Sequence, residues 1–361
     1  MSAQPRILLG QLASFGDCLL ATPIARQIKA DYPGCTLTWA IGSMYRSAID
    51  ENPFVDAVWE VPLVRRDDMD DVWRRFAVEA KQRLAKGEFD RIFLTQVNPD
   101  NYQNFDGTVR ASLLRGYPHP ITVPIMPVLK LREQEVERVR RFADEERLRE
   151  WKHVILFECA SRSGQSYVTP SYAVRVAEYV RARVEGACLI LSSNERLDNL
   201  PAGIIDGSVL ALRENAELSK YCTLLVGCSS GITWLCTSDW AKPLPTIQVL
   251  KGSTSVYASM AHDAAYFGLP RDHIIEMADA SVEHLGECIT GALTKPFAVV
   301  RQEFHEEIPV ELNLYLEAFM QSVIRRGQLI KLLKSLTITL GRYGFGPFAR
   351  YIVSKLKQSP A

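Results

Sequence analysis

The chain has 361 residues, 47% hydrophobic and 23% charged, with 42 basic and 42 acidic side chains. That is ordinary globular composition, long enough for two domains with a core each, and the balanced charge makes no case for a nucleic-acid binder. The start, MSAQPRILLG, lacks the apolar run of a secretory signal, and no apolar run reaches about 18 residues, so neither a leader nor a membrane span is predicted.

Short apolar runs alternate with helical patterns. RILLG at 6–10, TLTWAI at 36–41, AVWEVP at 57–62 and RIFLTQ at 91–96 read as buried strands, with helical segments near 17–31, 43–50 and 70–87. In the segment from Asp17, Leu20, Ile24 and Ile28 form one apolar stripe. The charged stretch 131–153 reads as a solvated helix leading to a boundary. The alternation then restarts, with strands HVILFE at 153–158, ACLILSS at 187–193, TLLVG at 223–227 and LPTIQVL at 244–250. Helical patterns lie near 170–184, 214–221, 231–238 and 281–293. The order predicts an α/β protein of two Rossmann-like, doubly wound domains facing a cleft, at 1–150 and 151–317, followed by a tail at 318–361.

The tail carries eight basic residues and no acidic one, so the body before it is net acidic. Leu329, Ile330, Leu332, Leu333, Leu336, Phe345, Phe348, Tyr351, Ile352 and Leu356 are interleaved with the charges. Such a basic amphipathic segment fits an anionic membrane surface, or a C-terminal helix that clasps the body.

Eight cysteines show no C-x-x-C pair, and Cys222, Cys228 and Cys236 are too widely spaced for a usual zinc knuckle. They read as reduced, mostly buried thiols of a cytosolic protein. The six histidines show no paired ligand spacing, so each reads as a structural or surface residue and not as a metal ligand.

Ligands of open α/β sheets bind outside the carboxyl ends of the strands. The loops at those ends read GQLASFGD after the first strand, then CASRSGQS, NERLDN, CSSGITWL and KGSTS in the second half. Three of the second-half loops combine Ser, Gly and a base, a composition that serves a diphosphate and equally serves turns. None matches the P-loop or the dinucleotide fingerprint. Asp17, at the mouth of the first loop, is placed to cap the helix or to act as a base.

GDCLLATPIARQIKADYPGCTLTWAIGSMYRSAIDENPFVDAV resembles the N-terminal signature of the bacterial heptosyltransferases, glycosyltransferase family 9, through Asp17, Thr22-Pro23, Tyr32-Pro33 and Asn52-Pro53 to Asp56. SSNE at 192–195 and LLVGCSSGITWLCTSDWAKPLPTIQVLKGST are similar to later segments of that family; the likeness spans roughly 5–60 and, loosely, 153–255. The resemblance implies the GT-B fold and metal-independent, inverting transfer of a sugar from a nucleotide-sugar donor to a lipopolysaccharide or other surface-glycan acceptor, at the inner membrane face. It makes Asp17 the base for the acceptor hydroxyl. On the donor side it implies that Ser161, Arg162 and Ser163 meet phosphate, that Glu195 holds the ribose, and that Ser229, Ser230, Gly231 and Ile232 present N–H groups to the diphosphate. Glu195 also reads as a solvated loop carboxylate, and Lys251 as a phosphate contact or an exposed loop lysine.

The chain departs from the family where Asp-Ser/Thr-Gly-x-x-His is usual: it has Ser229-Ser230-Gly231 and then Trp234. Two polar sugar contacts are replaced by a hydroxyl and an apolar ring, and Trp234 is either a sugar platform or packing. The family's lysine after the first phosphate loop is also missing, with Arg162 as its stand-in. These changes imply a donor other than a heptose. They equally leave open a non-catalytic GT-B-like module that binds a nucleotide sugar or glycan in an assembly complex. A sugar-nucleotide epimerase needs more acid/base groups than the Ser229–Trp234 loop offers.

Overall fold

Strands buried on both faces read as continuous apolar runs, and both halves of the chain build all-parallel sheets from such runs. In the computed structural model, residues 4–159, 164–252, 259–308, 324 and 327–358 are described. The chain divides into two units, one from the described parts of Met1–Lys130 and Glu311–Ala361, the other from those of Leu131–Val310.

In the first unit β1 (Arg6–Gly10), β2 (Thr36–Gly42), β3 (Ala57–Val61) and β4 (Arg91–Leu94) lie in the order β3-β2-β1-β4, all parallel. Helix α1 (Phe15–Asp31) buries Leu20, Ile24 and Ile28, the stripe read from their spacing. Helix α2 (Met69–Ala85) packs Trp73 and Phe76 on a core with Leu8, Ala40 and Val61, and the short α3 spans Arg110–Leu114. The segment 43–50 is a 3-10 helix, Ser43–Ile49.

The Thr-Pro step of α1 has a structural use. Pro23 has no N–H to give the carbonyl one turn back, Leu19. The Thr22 hydroxyl donates to that oxygen instead, at 2.6 Å, and accepts the Val128 N–H at 2.7 Å. Gln27 continues the seam, its Oε1 accepting from the N–H groups of Thr122 and Val123 at 2.8 and 3.1 Å. Asp56 is likewise structural, accepting the Leu37 N–H at 2.6 Å and pairing with Lys29.

In the second unit β5 (His153–Glu158), β6 (Ala187–Ser192), β7 (Ile204–Asp206), β8 (Leu224–Gly227), β9 (Thr246–Leu250) and β10 (Ile274–Ala278) lie in the order β10-β9-β8-β5-β6-β7, all parallel. Counted from β5, that is the doubly wound 3-2-1-4-5-6 order. Helix α4 (Glu133–Glu145) packs Val139 and Phe142 on the face of Val154, Leu156 and Leu225, and α6 (Glu214–Leu218) and α7 (Gly231–Leu235) join it there with Leu218 and Ile232. The opposite face, with Ile155, Phe157 and Leu189, carries α5 (Pro170–Arg181) and, after α8 (Met260–Tyr266), α9 (Val282–Thr294) and α10 (Phe297–Phe304).

The charged helix assigned on sequence to the first half therefore sits in the second unit. Its apolar residues are core there, and Glu135 pairs with the buried Arg213 at 2.9 Å. The tail contributes α11 (Leu329–Tyr343) and α12 (Gly346–Gln358) and is grouped with the first unit. No described helix is long and apolar enough to cross a membrane, and all eight cysteines are buried and unbridged.

Thr22→Val keeps the shape of the side chain and strands both the Leu19 carbonyl and the Val128 N–H. A loss of about 2–3 kcal/mol of unfolding free energy is expected in urea titration; an unchanged midpoint would show that the hydroxyl does not serve Pro23.

Candidate active site

Each sheet has a point where its connections reverse, beside β1 and β4 in the first unit and beside β5 and β8 in the second. Asp17 follows β1 in the first unit, and Ser229, Ser230, Gly231, Ile232 and Trp234 follow β8 in the second; each is described within its own unit.

At the first, the carboxamide oxygen of Gln96, just past β4, accepts three N–H groups. They come from Leu12 and Ala13, at 3.0 Å each, and from the Gln11 side chain at 2.9 Å. Gln11 is in turn fixed, donating to Ala13 O at 2.7 Å and accepting from the Thr95 hydroxyl at 2.9 Å. The Trp39 indole donates to Gln11 O at 3.1 Å, and the Gly42 N–H donates to Leu12 O at 3.0 Å. A Cβ at Gly42 would lie 2.8 Å from that same oxygen, so only glycine allows the approach. The loop from Gln11 to Ala13 is thus bound on every side, and the Ala13–Ser14 peptide that follows is cis.

This loop delivers Ser14 as N-cap and Asp17 as the third residue of α1. The Ser14 N–H donates to Asp17 Oδ2 at 3.2 Å, so the residue does help to cap the helix. Burial pushes the Asp17 carboxyl up to about 6, against smaller downward effects of the Ser14 N–H and hydroxyl and of the Arg66 charge. A carboxyl titrating there is ionised at neutral pH and more basic than an ordinary aspartate, which suits proton abstraction.

At the second point, Glu158 ends β5 with its side chain buried. Its carboxyl oxygens accept from Cys228 N at 2.9 Å, Ile232 N at 3.1 Å and the Thr233 hydroxyl at 2.6 Å. Ser229 N donates to Gln248 Oε1 at 2.8 Å. Two N–H groups expected to meet a diphosphate, those of Ser229 and Ile232, are therefore engaged inside the unit. Ser230 is the N-cap of α7 and, with Gly231, is partly exposed. Ser229 is held at φ +51°, and its hydroxyl and the Gln248 amide nitrogen are buried without a protein partner among the described residues. Trp234 is 7% exposed. Glu195 is exposed in the turn after β6, where its own N–H donates to the Ser193 hydroxyl at 3.1 Å. Ser161, Arg162 and Ser163 lie outside the described residues. No group of three or more His, Cys, Asp or Glu able to hold a metal occurs among the described residues.

Sequence reasoning missed Gln11, Gln96, Glu158 and Gln248. The signal was there for Glu158 and Gln248, since a lone polar residue in an apolar strand must find partners.

No protein-family model matches the chain, and no curated protein matches its sequence. Solved structures do match in fold. The chain is similar to the glycosyl transferase family 9 structure from Veillonella parvula DSM 2008, with TM-score 0.56 and 16% identity, covering 83% of this chain and 94% of that one. It is similar also to the E. coli ADP-heptose lps heptosyltransferase II, with TM-score 0.54 and 13% identity, covering 80% and 98%. The shared feature is the fold, two parallel α/β units of the GT-B kind.

Glu158→Ala removes the acceptor of three buried donors. A loss of about 3 kcal/mol or more is expected in urea unfolding, with Glu158→Gln milder. Wild-type stability of the alanine variant would mean that the loop 228–233 does not depend on this carboxyl.

Proposed function

We propose that this chain is a glycosyltransferase that moves a sugar from a nucleotide-diphosphate donor to a hydroxyl of a lipopolysaccharide or other surface-glycan acceptor. The observation that carries the reading is Asp17, a half-buried carboxyl held by a rigid loop at the carboxyl edge of the first sheet, with its pKa pushed up to about 6. Support comes also from the fold shared with structures described as a family 9 glycosyl transferase and as an ADP-heptose heptosyltransferase.

In this mechanism the acceptor hydroxyl attacks the anomeric carbon from the face opposite the diphosphate. The new C–O bond forms as the bond to the diphosphate oxygen breaks, and the configuration inverts. The acceptor proton passes to Asp17, which is ionised at neutral pH. Holding the hydroxyl against the carbon supplies much of the rate. The first unit is the acceptor side and the second the donor side. There Ser230 and Gly231, with Ser161, Arg162 and Ser163, are assigned to the diphosphate, and Glu195 to the ribose hydroxyls. The reading uses no metal and no cofactor.

One observation favours a second reading, a non-catalytic module that binds a nucleotide sugar or glycan. The N–H groups of Ser229 and Ile232 are already engaged by Gln248 and Glu158, which leaves fewer donors for a diphosphate.

Asp17→Asn separates the two. An amide still accepts the Ser14 N–H but takes no proton. Release of nucleoside diphosphate from a donor panel is expected to fall by about 10²-fold or more. The wild-type rate is expected to decline as pH drops through about 6, where Asp17 becomes protonated. Stability runs the other way. Because the folded pKa lies above the ordinary aspartate value of 3.8, the fold binds the proton more tightly than the unfolded chain, and stability falls as pH rises from 3.8 to about 6. The asparagine variant is therefore expected to melt at or above the wild-type temperature at neutral pH. Unchanged turnover with lower stability would leave Asp17 a cap and nothing more.

A further inference from the structure

Helix α11 is docked on the first unit with its polarity reversed. A surface helix ordinarily buries its apolar stripe and turns its polar face to water. The side of α11 that meets the unit is Leu332, Ser335, Thr339 and Arg342. The Ser335 hydroxyl donates to Phe105 O at 2.6 Å. Arg342 donates to the buried Asp106 at 2.6 Å and to the Thr108 hydroxyl at 3.1 Å. Lys331 reaches Asp100 O from the same helix. Asp106 also pairs with Arg115, so two guanidinium groups hold one buried carboxylate. These contacts fix which side faces out.

The outward side carries Leu329, Leu333 and Leu340, with the half-buried Leu336 at its edge, spaced four, three and four residues apart in the pattern of a core-facing stripe. Leu329 is 58% exposed, Leu333 64% and the adjacent Ile330 72%. Phe345 is 68% exposed, and Ile352 and Val353 of α12 are exposed as well. Lys334 and Arg350 are exposed too, and the segment 318–361 has eight basic residues and no acidic one.

We propose that α11 and α12 form a lipid-facing surface that seats the first unit on an anionic membrane, with the leucine stripe entering the interface and the basic residues meeting lipid phosphates. Interfacial helices combine these two features. Charge decides the occupant. Packing a second copy of the chain on this stripe would bring two exclusively basic segments together, whereas anionic headgroups complement them. The surface does not depend on Asp17 or on sugar transfer, so this proposal and the transferase reading stand or fall separately.

The test is co-sedimentation of the full chain with vesicles of phosphatidylcholine alone or mixed with phosphatidylglycerol, at low and high salt, with the mass in solution measured alongside. The wild type is expected to bind the anionic vesicles, more weakly at high salt, and to be monomeric without them. Leu329→Asp with Leu333→Asp is expected to cut binding about tenfold or more, with the melting temperature unchanged because both side chains point to solvent. Lys334→Glu, a milder variant, is expected to weaken binding to anionic vesicles and leave melting unaltered. The proposal is overturned if the intact chain ignores anionic vesicles at low salt, or if both variants bind as the wild type does. It is overturned equally by a stable wild-type dimer that the double variant dissolves, which would assign the stripe to a second copy.

Discussion

The first unit turns on one carboxamide oxygen. Gln96 Oε1 gathers the N–H groups of Leu12, Ala13 and the Gln11 side chain, and so joins the end of β4 to the loop that leaves β1. Without it three buried donors lose their partner, and the segment leading into α1 loses its path. Ser14 and Asp17 stand where they do because that path is fixed. The loop needs no large core of its own; it borrows rigidity from the switch point of the sheet, where two strand ends lie side by side.

Three carboxyl groups show how surroundings assign roles. Glu158 is buried and saturated by two backbone N–H groups and a hydroxyl, and it ties the end of β5 to the loop after β8. Asp106 is buried as well; burial alone would raise its pKa, but Arg115 and Arg342 hold it below the usual range, and it anchors α11. Asp17 has neither three donors nor a guanidinium in contact, and burial prevails there. The first two groups are spent on structure. The third keeps a proton affinity suited to chemistry at neutral pH.

Much of this was legible in the sequence. HVILFE and RILLG are strands over the residues read, because their interiors are continuous apolar runs. The stripe of α1 was legible by its spacing, and the Thr-Pro step by its resemblance, though its use in satisfying Leu19 needed coordinates. Strands β7 and β10 were missed for different reasons. The first has three residues, and the second carries Glu276 in an otherwise apolar run. That side chain is buried and accepts from the Ser259 hydroxyl at 2.7 Å, a partner distant in sequence. The outward face of α11 was equally hidden, since periodicity reveals a stripe and not what it meets. In the second unit, Glu158 and Gln248 engage N–H groups that the loop sequence alone left open.

The account rests on Asp17 being a carboxyl held up in pKa by its loop and not merely a helix cap. Carbon-detected NMR titration of the Asp17 carboxyl in the intact protein, assigned by loss of the signal in the asparagine variant, measures this directly. The account predicts a midpoint of about 6. A midpoint near the ordinary aspartate value of 3.8 would describe a solvated cap and contradict it.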